Sequence, residues 1–312
     1  MRYFYSLITF VFLSVYAQHC GPFIGIETST DSNKNYRISL VREKRNPWNY
    51  LAFTVQENLS LPKLEQIDQK VDWDVVPVKF SFKLPILDYF YKAYIFVSPT
   101  GNGFVVTGFP YYTVYGSKKQ DDPILLHFYT MEGKLQKELK LQEVATPEEI
   151  SFCGSHQHHS DQDLWGNFLA VSKAEGCVIY YTFADRPRLS EEGQYLEFCM
   201  AKTRRSISFF LPLQMLVTDK SSFESELESW LTQDNNEKTS ISLDFRKDLN
   251  LFQVLLSYPN VKIQNATITY LCKRIPEPIH PKEKEPALWN ECLEKYKNQL
   301  QWEEDSQHYR SK

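Results

Sequence analysis

Glycine is scarce in this sequence, with 11 residues among 312. Folds that bind nucleotide phosphates need glycine-rich loops, because the backbone must approach the phosphate oxygens closely. The chain contains neither a P-loop nor a G-x-G-x-x-G motif, and it also lacks the G-x-S-x-G nucleophile motif and the H-E-x-x-H zinc motif. The sequence therefore gives no sign of a nucleotide-binding fold or of these hydrolase classes.

A strong charge imbalance is absent as well. The formal net charge is −4, which is too small to indicate a nucleic-acid partner by electrostatics. Beyond the N-terminal segment there is no further stretch of about 18 apolar residues, the length that a membrane-spanning helix needs. We therefore expect neither a nucleic-acid partner nor a transmembrane segment.

The N-terminal segment has the pattern of a signal peptide. Arg2 supplies a positive charge, the apolar run "YSLITFVFLSVYA" follows, and Val15 and Ala17 are small residues at the −3 and −1 positions of a cleavage site. We predict a signal peptide over 1–17 and a secreted or extracytoplasmic protein. A lipid anchor at Cys20 is an alternative, although Gln18 and His19 do not fit the small residues that normally precede a lipid-modified cysteine.

Aromatic residues are abundant, with 21 Phe, 19 Tyr and 6 Trp, and they favour β-strands. The sequence predicts one hairpin from "AYIFV" and "FVVTGF" around the turn at 98–103, a second over 123–141 and a third over 167–183. Three successive hairpins predict a mainly β region, an antiparallel meander arranged as a sandwich or a propeller-like fold.

The last third of the chain has a mixed pattern, so the fold class is α+β overall. We predict a helix over 221–233 with a capping box formed by Ser221 and Glu224, strands over 251–258 and 261–274, and an amphipathic helix after Pro286. The predicted organisation is a signal peptide at 1–17, a β-rich hairpin region at 18–205, an α+β region at 206–302 and a disordered tail at 303–312.

Residues 96–144 resemble a group of uncharacterised exported bacterial proteins with propeller-like β-hairpins. The matching pieces are Gly103–Thr107 ("GFVVT"), Val114–Gly116 ("VYG"), Ile124–Tyr129 and Glu132–Leu135 ("EGKL"), with Glu where Asp is usual in the group. The resemblance implies an exported, β-rich architecture and no particular activity.

Six cysteines remain after the predicted cleavage, and an oxidising compartment favours disulfide bonds. Six cysteines allow 15 pairings, which the sequence cannot distinguish; Cys153 and Cys177 flank one predicted hairpin and are the pair we favour. Asn58 and Asn265 begin N-x-S/T sequons, which are possible glycosylation sites if the host is a eukaryote.

The segment "SFCGSHQHHSDQDLW" (151–165) is rich in histidine. On an extended chain His156 and His158 lie on the same face and form a candidate site for zinc or another divalent metal, provided that a third ligand is supplied. Asp161 and Asp163 reach this site only if the chain turns back. The alternative is a polar connecting loop without metal, and no other cofactor is indicated.

A tyrosine-rich loop predicted at Phe109–Tyr115 is the candidate binding surface, because Tyr111, Tyr112 and Tyr115 combine apolar area with hydroxyl groups. We therefore expect a secreted, disulfide-stabilised, β-rich protein that binds a protein or glycan partner. The alternatives are an exported metal-dependent or hydrolytic enzyme that uses the 156–163 segment, and a purely structural surface protein.

Overall fold

The computed structural model describes residues 23–24, 28–30, 36–41, 50–57, 72, 74–85, 90–113, 124–150, 177–179, 187–200, 203–233 and 239–312. The chain forms two compact units, Met1–Phe209 and Phe210–Lys312, and the sequence predicts a boundary near residue 205. Strands predominate in the first unit and helices in the second. The fold is α+β and mainly β, with helices at the C-terminal end, which confirms the predicted fold class.

Antiparallel sheets make up the described part of the first unit. One sheet has the strand order β2-β3-β4-β5; a second has the order β1-β6-β7-β8-β9, with β10 paired to β7; a third contains β11, β12 and β13. In the second sheet β1 pairs with β6 in parallel, whereas the pairs β6–β7, β7–β8, β8–β9 and β7–β10 are antiparallel. The elements are β1 (Phe23–Ile24), β2 (Thr28–Thr30), β3 (Tyr36–Val41), β4 (Tyr50–Glu57), β5 (Val78–Pro85), β6 (Phe90–Val97), β7 (Phe104–Thr113), β8 (Ile124–Tyr129), β9 (Leu135–Lys140), the one-turn helix α1 (Pro147–Ile150), β10 (Cys177–Ile179), β11 (Arg188–Leu189), β12 (Tyr195–Cys199) and β13 (Ser206–Phe210).

The first two predicted hairpins are confirmed as β6–β7 and β8–β9. The predicted third hairpin, 167–183, lies outside the described residues except for β10. In the β8–β9 turn, Gly133 has a φ of +84°, and a Cβ atom at this position would lie 2.6 Å from the ring of Phe82. Glycine is required there because the backbone is left-handed and the neighbouring sheet is close.

The four-stranded sheet packs face to face on the second sheet, as in a sandwich. A stacked series of four aromatic rings runs through this core, and its Phe82–Phe104 contact, with a centroid distance of 5.5 Å, joins the two sheets. The Phe53–Phe82 pair at 5.6 Å lies within the four-stranded sheet and the Phe104–Tyr129 pair at 5.3 Å within the second sheet. Such pairs each add about 0.5–1.5 kcal/mol beyond the burial of their area. The buried residues of this core are Ile38, Phe53, Val55, Leu84, Ile95, Val97, Phe104, Val106, Tyr129 and Met131.

The two packed sheets differ in how many of their faces are buried. Consecutive residues at 94–97, 104–107 and 125–129 are all buried, so both faces of the second sheet are covered in this part of β6, β7 and β8, whereas β9 is exposed except at Leu139. In β3, β4 and β5 the buried or core-packed residues alternate with more exposed ones. The four-stranded sheet therefore has one face in the core and one face accessible to solvent.

The second unit is built from helices and a C-terminal hairpin. α2 packs against α4, and α3 packs against both α4 and α5. The elements are β14 (Met215–Val217), α2 (Lys220–Thr232), α3 (Leu249–Leu256), α4 (Val261–Arg274), α5 (Pro286–Tyr296), β15 (Leu300–Glu303) and β16 (His308–Ser311).

The two strands predicted at 251–258 and 261–274 are wrong, because the chain forms α3 and α4 there. A short apolar run fits a buried strand and a buried helix equally well. Here the caps decide: Asp248 accepts hydrogen bonds from the backbone N–H groups of Asn250 and Leu251, and Asn260 caps α4 in the same way. The buried residues of α4 recur every three or four positions, at Ile263, Ala266, Thr267, Tyr270, Leu271 and Arg274, and Ile268 is buried beside them.

The predicted helix at 221–233 is confirmed as α2, but its cap differs. Asp219 accepts a 2.7 Å hydrogen bond from the Ser222 N–H, so the predicted box of Ser221 and Glu224 is not the cap. Glu224 instead accepts hydrogen bonds from the side chains of Tyr258 and Asn260. The predicted apolar face is buried as expected, at Phe223, Leu227, Trp230 and Leu231.

The structure also differs from the prediction of a disordered tail at 303–312, because β15 and β16 pair as an antiparallel hairpin. Tyr309 is only 3% exposed, and its hydroxyl donates a 2.7 Å hydrogen bond to the carbonyl oxygen of Arg246. Arg274 donates to the carbonyl oxygen of Gln307. The charged composition predicted disorder, but one buried aromatic side chain and these hydrogen bonds hold the segment against the helices.

Candidate binding face

The histidines of the predicted metal site, His156 and His158, lie outside the described residues, as do Tyr115, Asn58 and Cys153. Zinc binding by this segment remains a prediction, and so does a disulfide between Cys153 and Cys177. In the part of the chain that the structure describes, no cluster of three or more His, Cys, Asp or Glu side chains is arranged to hold a metal ion. No helix in that part is long and apolar enough to cross a membrane.

The tyrosine-rich segment is a strand as far as Thr113, and the prediction of a loop is wrong there. Tyr111 and Tyr112 belong to β7, where their backbones pair with Ile179 and Val178 of β10. Aromatic and β-branched residues favour a pleated strand, and this preference outweighs the turn tendency of the preceding Pro110. The use of these tyrosines as a binding surface remains a prediction.

The sequon at Asn265 lies within α4. Asn265 is exposed, whereas Thr267 of the same sequon is fully buried and donates a 2.8 Å hydrogen bond to the carbonyl oxygen of Ile263. An enzyme that recognises the Thr267 hydroxyl reaches it only before α4 packs. Glycosylation at Asn265 remains a prediction, and it would have to precede folding.

Among the described residues, Cys199, Cys272 and Cys292 are free cysteines, and disulfide bonding of this protein remains a prediction. Cys292 is buried on α5, and its Sγ donates a hydrogen bond to the carbonyl oxygen of Ile279. Burial raises the pKa of this thiol, which makes it a poor nucleophile in the folded chain.

The solvent-accessible face of the four-stranded sheet carries its polar side chains in aligned rows. Ser39 of β3 lies opposite Thr28 of β2 on one side and Thr54 of β4 on the other, and Thr54 lies opposite Ser81 of β5. Neighbouring strands are about 4.8 Å apart. One row of four hydroxyl groups therefore crosses all four strands.

Positively charged residues flank this hydroxyl row on both sides. Arg37 lies opposite Thr30 and Gln56 in the row before it, and Lys83 lies opposite Ala52 in the row after it. Rows are about 6.8 Å apart along a strand, which places the Cα atoms of Arg37 and Lys83 roughly 17 Å apart across the face. We call this surface the polar face; its residues are Thr28, Thr30, Arg37, Ser39, Ala52, Thr54, Gln56, Lys79, Ser81 and Lys83.

The polar face is accessible. Thr28, Lys79, Ser81 and Lys83 are exposed, and the other residues of the face are half-buried. Neighbouring residues in the same strands, such as Phe53 and Val55, are only 1% exposed. Accessibility thus alternates along each strand, as it does in a sheet that covers a core with one face only.

No described residue of the polar face is acidic. Lys79 forms an ion pair with Glu57, and Glu57 also accepts a 3.3 Å hydrogen bond from the hydroxyl of Tyr36, a residue packed against the core. Asp72 and Asp74 precede β5 in an exposed turn, in which the Asp74 N–H donates to a carboxylate oxygen of Asp72. The face therefore combines hydroxyl and amide groups with basic residues, although the ammonium group of Lys79 pairs with Glu57 and Lys79 also lines the cavity on the inner side of the sheet.

A cavity at the inner side of the same sheet is small. Its volume is about 70 Å³, whereas sites for drug-sized molecules enclose about 300–1,000 Å³. The cavity lies beside a tightly packed contact, because a Cβ atom on Gly101 would fall 2.1 Å from the ring of Tyr36. Such a cavity accommodates a few water molecules at most. Its lining residues are Tyr36, Val55, Lys79, Phe80, Gly101, Met131 and Glu132.

Sequence reasoning did not find the polar face. The alternation in "VKFSFKL" indicates a half-buried strand, but the face depends on which residue of one strand lies opposite which residue of the next. That register is set by how side chains distant in the sequence pack together, which the residue types within one strand do not show.

Comparison of the chain with protein-family models, curated proteins and solved structures finds no match.

Proposed function

We propose that this chain is an exported, β-rich binding protein that binds an extended glycan on the polar face of its four-stranded sheet. The observation that carries the proposal is the in-register row Thr28–Ser39–Thr54–Ser81 with its cationic flanks. The predicted signal peptide supports an extracytoplasmic place of action.

Hydroxyl groups suit a sugar ligand, because each one donates and accepts hydrogen bonds. A row about 15 Å long across the four strands presents these groups to a chain-like ligand at regular intervals. Gln56 adds an amide, although its Nε2 already donates to the carbonyl oxygen of Val76. A polymer that lies across the strands would contact several of these groups at once.

The residue composition of the polar face favours binding over catalysis. Glycoside hydrolysis needs two carboxyl groups about 5–9.5 Å apart around the scissile bond, and the described polar face carries none. The described cavity beneath the sheet is also too small to enclose a sugar chain. The proposal therefore assigns recognition to this face and no bond cleavage.

The experiment is a binding assay with the full mature chain against a panel of immobilised polysaccharides. A double variant, Ser39→Ala with Thr54→Val, removes the two central hydroxyl groups and keeps strand-compatible side chains. Each net hydrogen bond contributes about 0.5–1.5 kcal/mol, so we expect roughly tenfold weaker binding.

The matched control is Ser221→Ala with Thr232→Val, which removes the same kinds of hydroxyl group from exposed positions of α2 in the other unit. This control should bind as the parent does, and both variants should keep the parent melting temperature. Absence of binding to every polysaccharide tested, or equal binding by the parent and the Ser39→Ala, Thr54→Val variant, would overturn the proposal.

A further inference from the structure

We infer that the glycan bound by the polar face is a single uncharged polysaccharide chain of extended form, such as β-1,4-linked glucose. The inference rests on the proposed function and adds the class of ligand. It is based on the spacing of the hydroxyl row and on the interactions that the basic residues of the face already make.

The basic side chains of the polar face are engaged within the protein. Lys79 forms an ion pair with Glu57 and lines the cavity on the inner side of the sheet. Arg37 and Lys83 also interact with other groups of the chain. An anionic ligand would compete with these partners for each basic side chain of the described face, so charge is not what the face offers to a ligand.

The hydroxyl groups of the row match an uncharged sugar. Thr28 and Ser81 are exposed, and Ser39 and Thr54 are half-buried. A hydroxyl group both donates and accepts hydrogen bonds, as the hydroxyl groups of a neutral sugar do, whereas a carboxylate only accepts them. Pairing hydroxyl groups with hydroxyl groups therefore uses the hydrogen-bonding capacity of both partners.

The spacing of the row favours an extended polymer that crosses the strands. Neighbouring strands are about 4.8 Å apart, and an extended chain of β-1,4-linked sugars advances by nearly the same distance per sugar. Each of the four strands then contacts one sugar, so four consecutive sugars cover the row. An α-1,4-linked chain coils instead, which carries its sugars away from the row.

The twist of the sheet favours a single chain over a crystalline surface. Successive strands rotate by roughly 20–25° relative to one another, so the hydroxyl groups of the row do not lie in one plane. A single polysaccharide chain follows this twist by rotation about its glycosidic bonds. A chain packed in a crystal face has no such freedom.

The test measures the affinity of the full mature chain for soluble β-1,4-linked glucose oligomers of about two to about six sugars, lengths that bracket the four strands. Affinity should rise roughly two- to tenfold with each added sugar, the effect of about one net hydrogen bond. It should level off at four sugars, because the sheet has four strands.

The key variant is Ser81→Ala, which removes the last hydroxyl group of the row at an exposed position. Its affinity should level off at three sugars, because three strands of the row keep their hydroxyl groups. The matched control, Ser221→Ala on α2, should level off at four sugars as the parent does.

Three further ligands test the class of polysaccharide. α-1,4-linked glucose oligomers of the same lengths should bind roughly tenfold or more weakly, since they would lose one or more hydrogen bonds. Polygalacturonate, a carboxylated polymer, should bind no more tightly than the neutral oligomers. Crystalline cellulose should not remove the protein from solution. The affinity for the neutral oligomers should change little with salt, which screens charges.

Four results would overturn the inference and leave the proposed function standing: tighter binding of polygalacturonate than of the neutral oligomers, equal binding of the α- and β-1,4-linked series, capture by crystalline cellulose, or an affinity that is the same at every oligomer length. A Ser81→Ala variant with the length dependence of the parent would also overturn it. Failure of every oligosaccharide and polysaccharide to bind would overturn the proposed function as well.

Discussion

The buried carboxylate of Glu149 forms a two-point ion pair with Arg205. The Nη2–Oε2 distance is 2.7 Å and the Nε–Oε1 distance is 3.2 Å, and Glu149 is 1% exposed. Burial alone raises the pKa of Glu149, but hydrogen bonds from Arg205, Thr203 and Thr146 outweigh it and lower the pKa to about 2. The pair joins α1 to the turn before β13, 56 residues further along the chain.

Replacement of Glu149 by Ala should destabilise the first unit. The change leaves the Arg205 guanidinium without its partner, and breaking a buried pair costs about 3–5 kcal/mol; the partial exposure of Arg205 favours the lower end. The measurement is the free energy of unfolding in urea, with Glu148→Ala at an exposed neighbouring position as the control. Equal stability of the two variants would contradict a stabilising pair.

The same pair predicts a pH dependence. The pKa of Glu149 is lower in the folded chain than the ordinary value of 4.5, so the pair stabilises the fold above pH 4.5 and this contribution is lost as the pH falls from about 4.5 to about 2. In Glu149→Gln the acid-induced loss of stability should be smaller over this range. An unchanged slope of stability against pH would show that the carboxylate is not held as an anion.

Asp248 should have the opposite pH dependence. Burial raises its pKa to about 6, although Leu251, Asn250 and the positive charge of Lys297 favour the anion. Because the pKa of Asp248 is higher in the folded chain than in the unfolded chain, protonation of this carboxyl group favours folding. The stabilisation that protonation gives is fully present below about pH 3.8 and is lost as the pH rises through about 6. Asp248→Asn keeps a good helix cap and should stabilise the second unit at pH 7.5 by about 1–3 kcal/mol.

The measurement for Asp248 is the free energy of unfolding, followed by tryptophan fluorescence, at several pH values from about 4 to about 7.5, on both sides of the raised pKa. Asp244→Asn, at an 86% exposed side chain, provides the control. A variant Asp248→Asn that is less stable than the parent at pH 7.5 would show that the charged cap outweighs the burial of its carboxylate.

The C-terminal hairpin should contribute to the stability of the second unit. Tyr309→Phe removes the hydrogen bond to the Arg246 carbonyl oxygen and should cost about 1 kcal/mol, whereas Tyr309→Ala also empties a buried site and should cost about 3–5 kcal/mol. Ser311→Ala, at an exposed position of the same strand, should change little. If the segment were disordered, all three variants would unfold at the same urea concentration.

Free thiols at Cys199, Cys272 and Cys292 should be detectable without reduction. Alkylation in denaturant, followed by peptide mapping, should find all three cysteines modified. In the folded protein Cys292 should react much more slowly than it does in denaturant, because burial raises its pKa and shields its sulfur. Recovery of any of these cysteines in a disulfide-linked peptide would contradict the free thiols.

The sequence carried enough information for the elements whose ends are marked by turns or caps. Gly133 and the polar turn around it predict the β8–β9 hairpin, and the spacing of Phe223, Leu227 and Trp230 predicts α2. Residues 251–274 were misassigned because apolar and β-branched side chains were given more weight than Asp248 and Asn260, which are helix caps.

The polar face and the core pairs depend on residues that are distant in the sequence. Ser39 and Ser81 become members of one row only when three strands are aligned, and Glu149 meets Arg205 across 56 residues. Local preferences specify strands and helices, whereas register and long-range pairing are set by how the side chains pack as a whole. These were the parts that sequence patterns alone did not reveal.

The parallel pairing of β1 with β6 covers part of an open strand edge. Phe23 and Ile24 occupy the open side of β6, at the end of the sheet whose two faces are already covered. An uncovered strand edge is a template for pairing with another molecule. A variant that begins after Ile24 would leave that part of the β6 edge bare, so we expect it to self-associate more readily than the full chain.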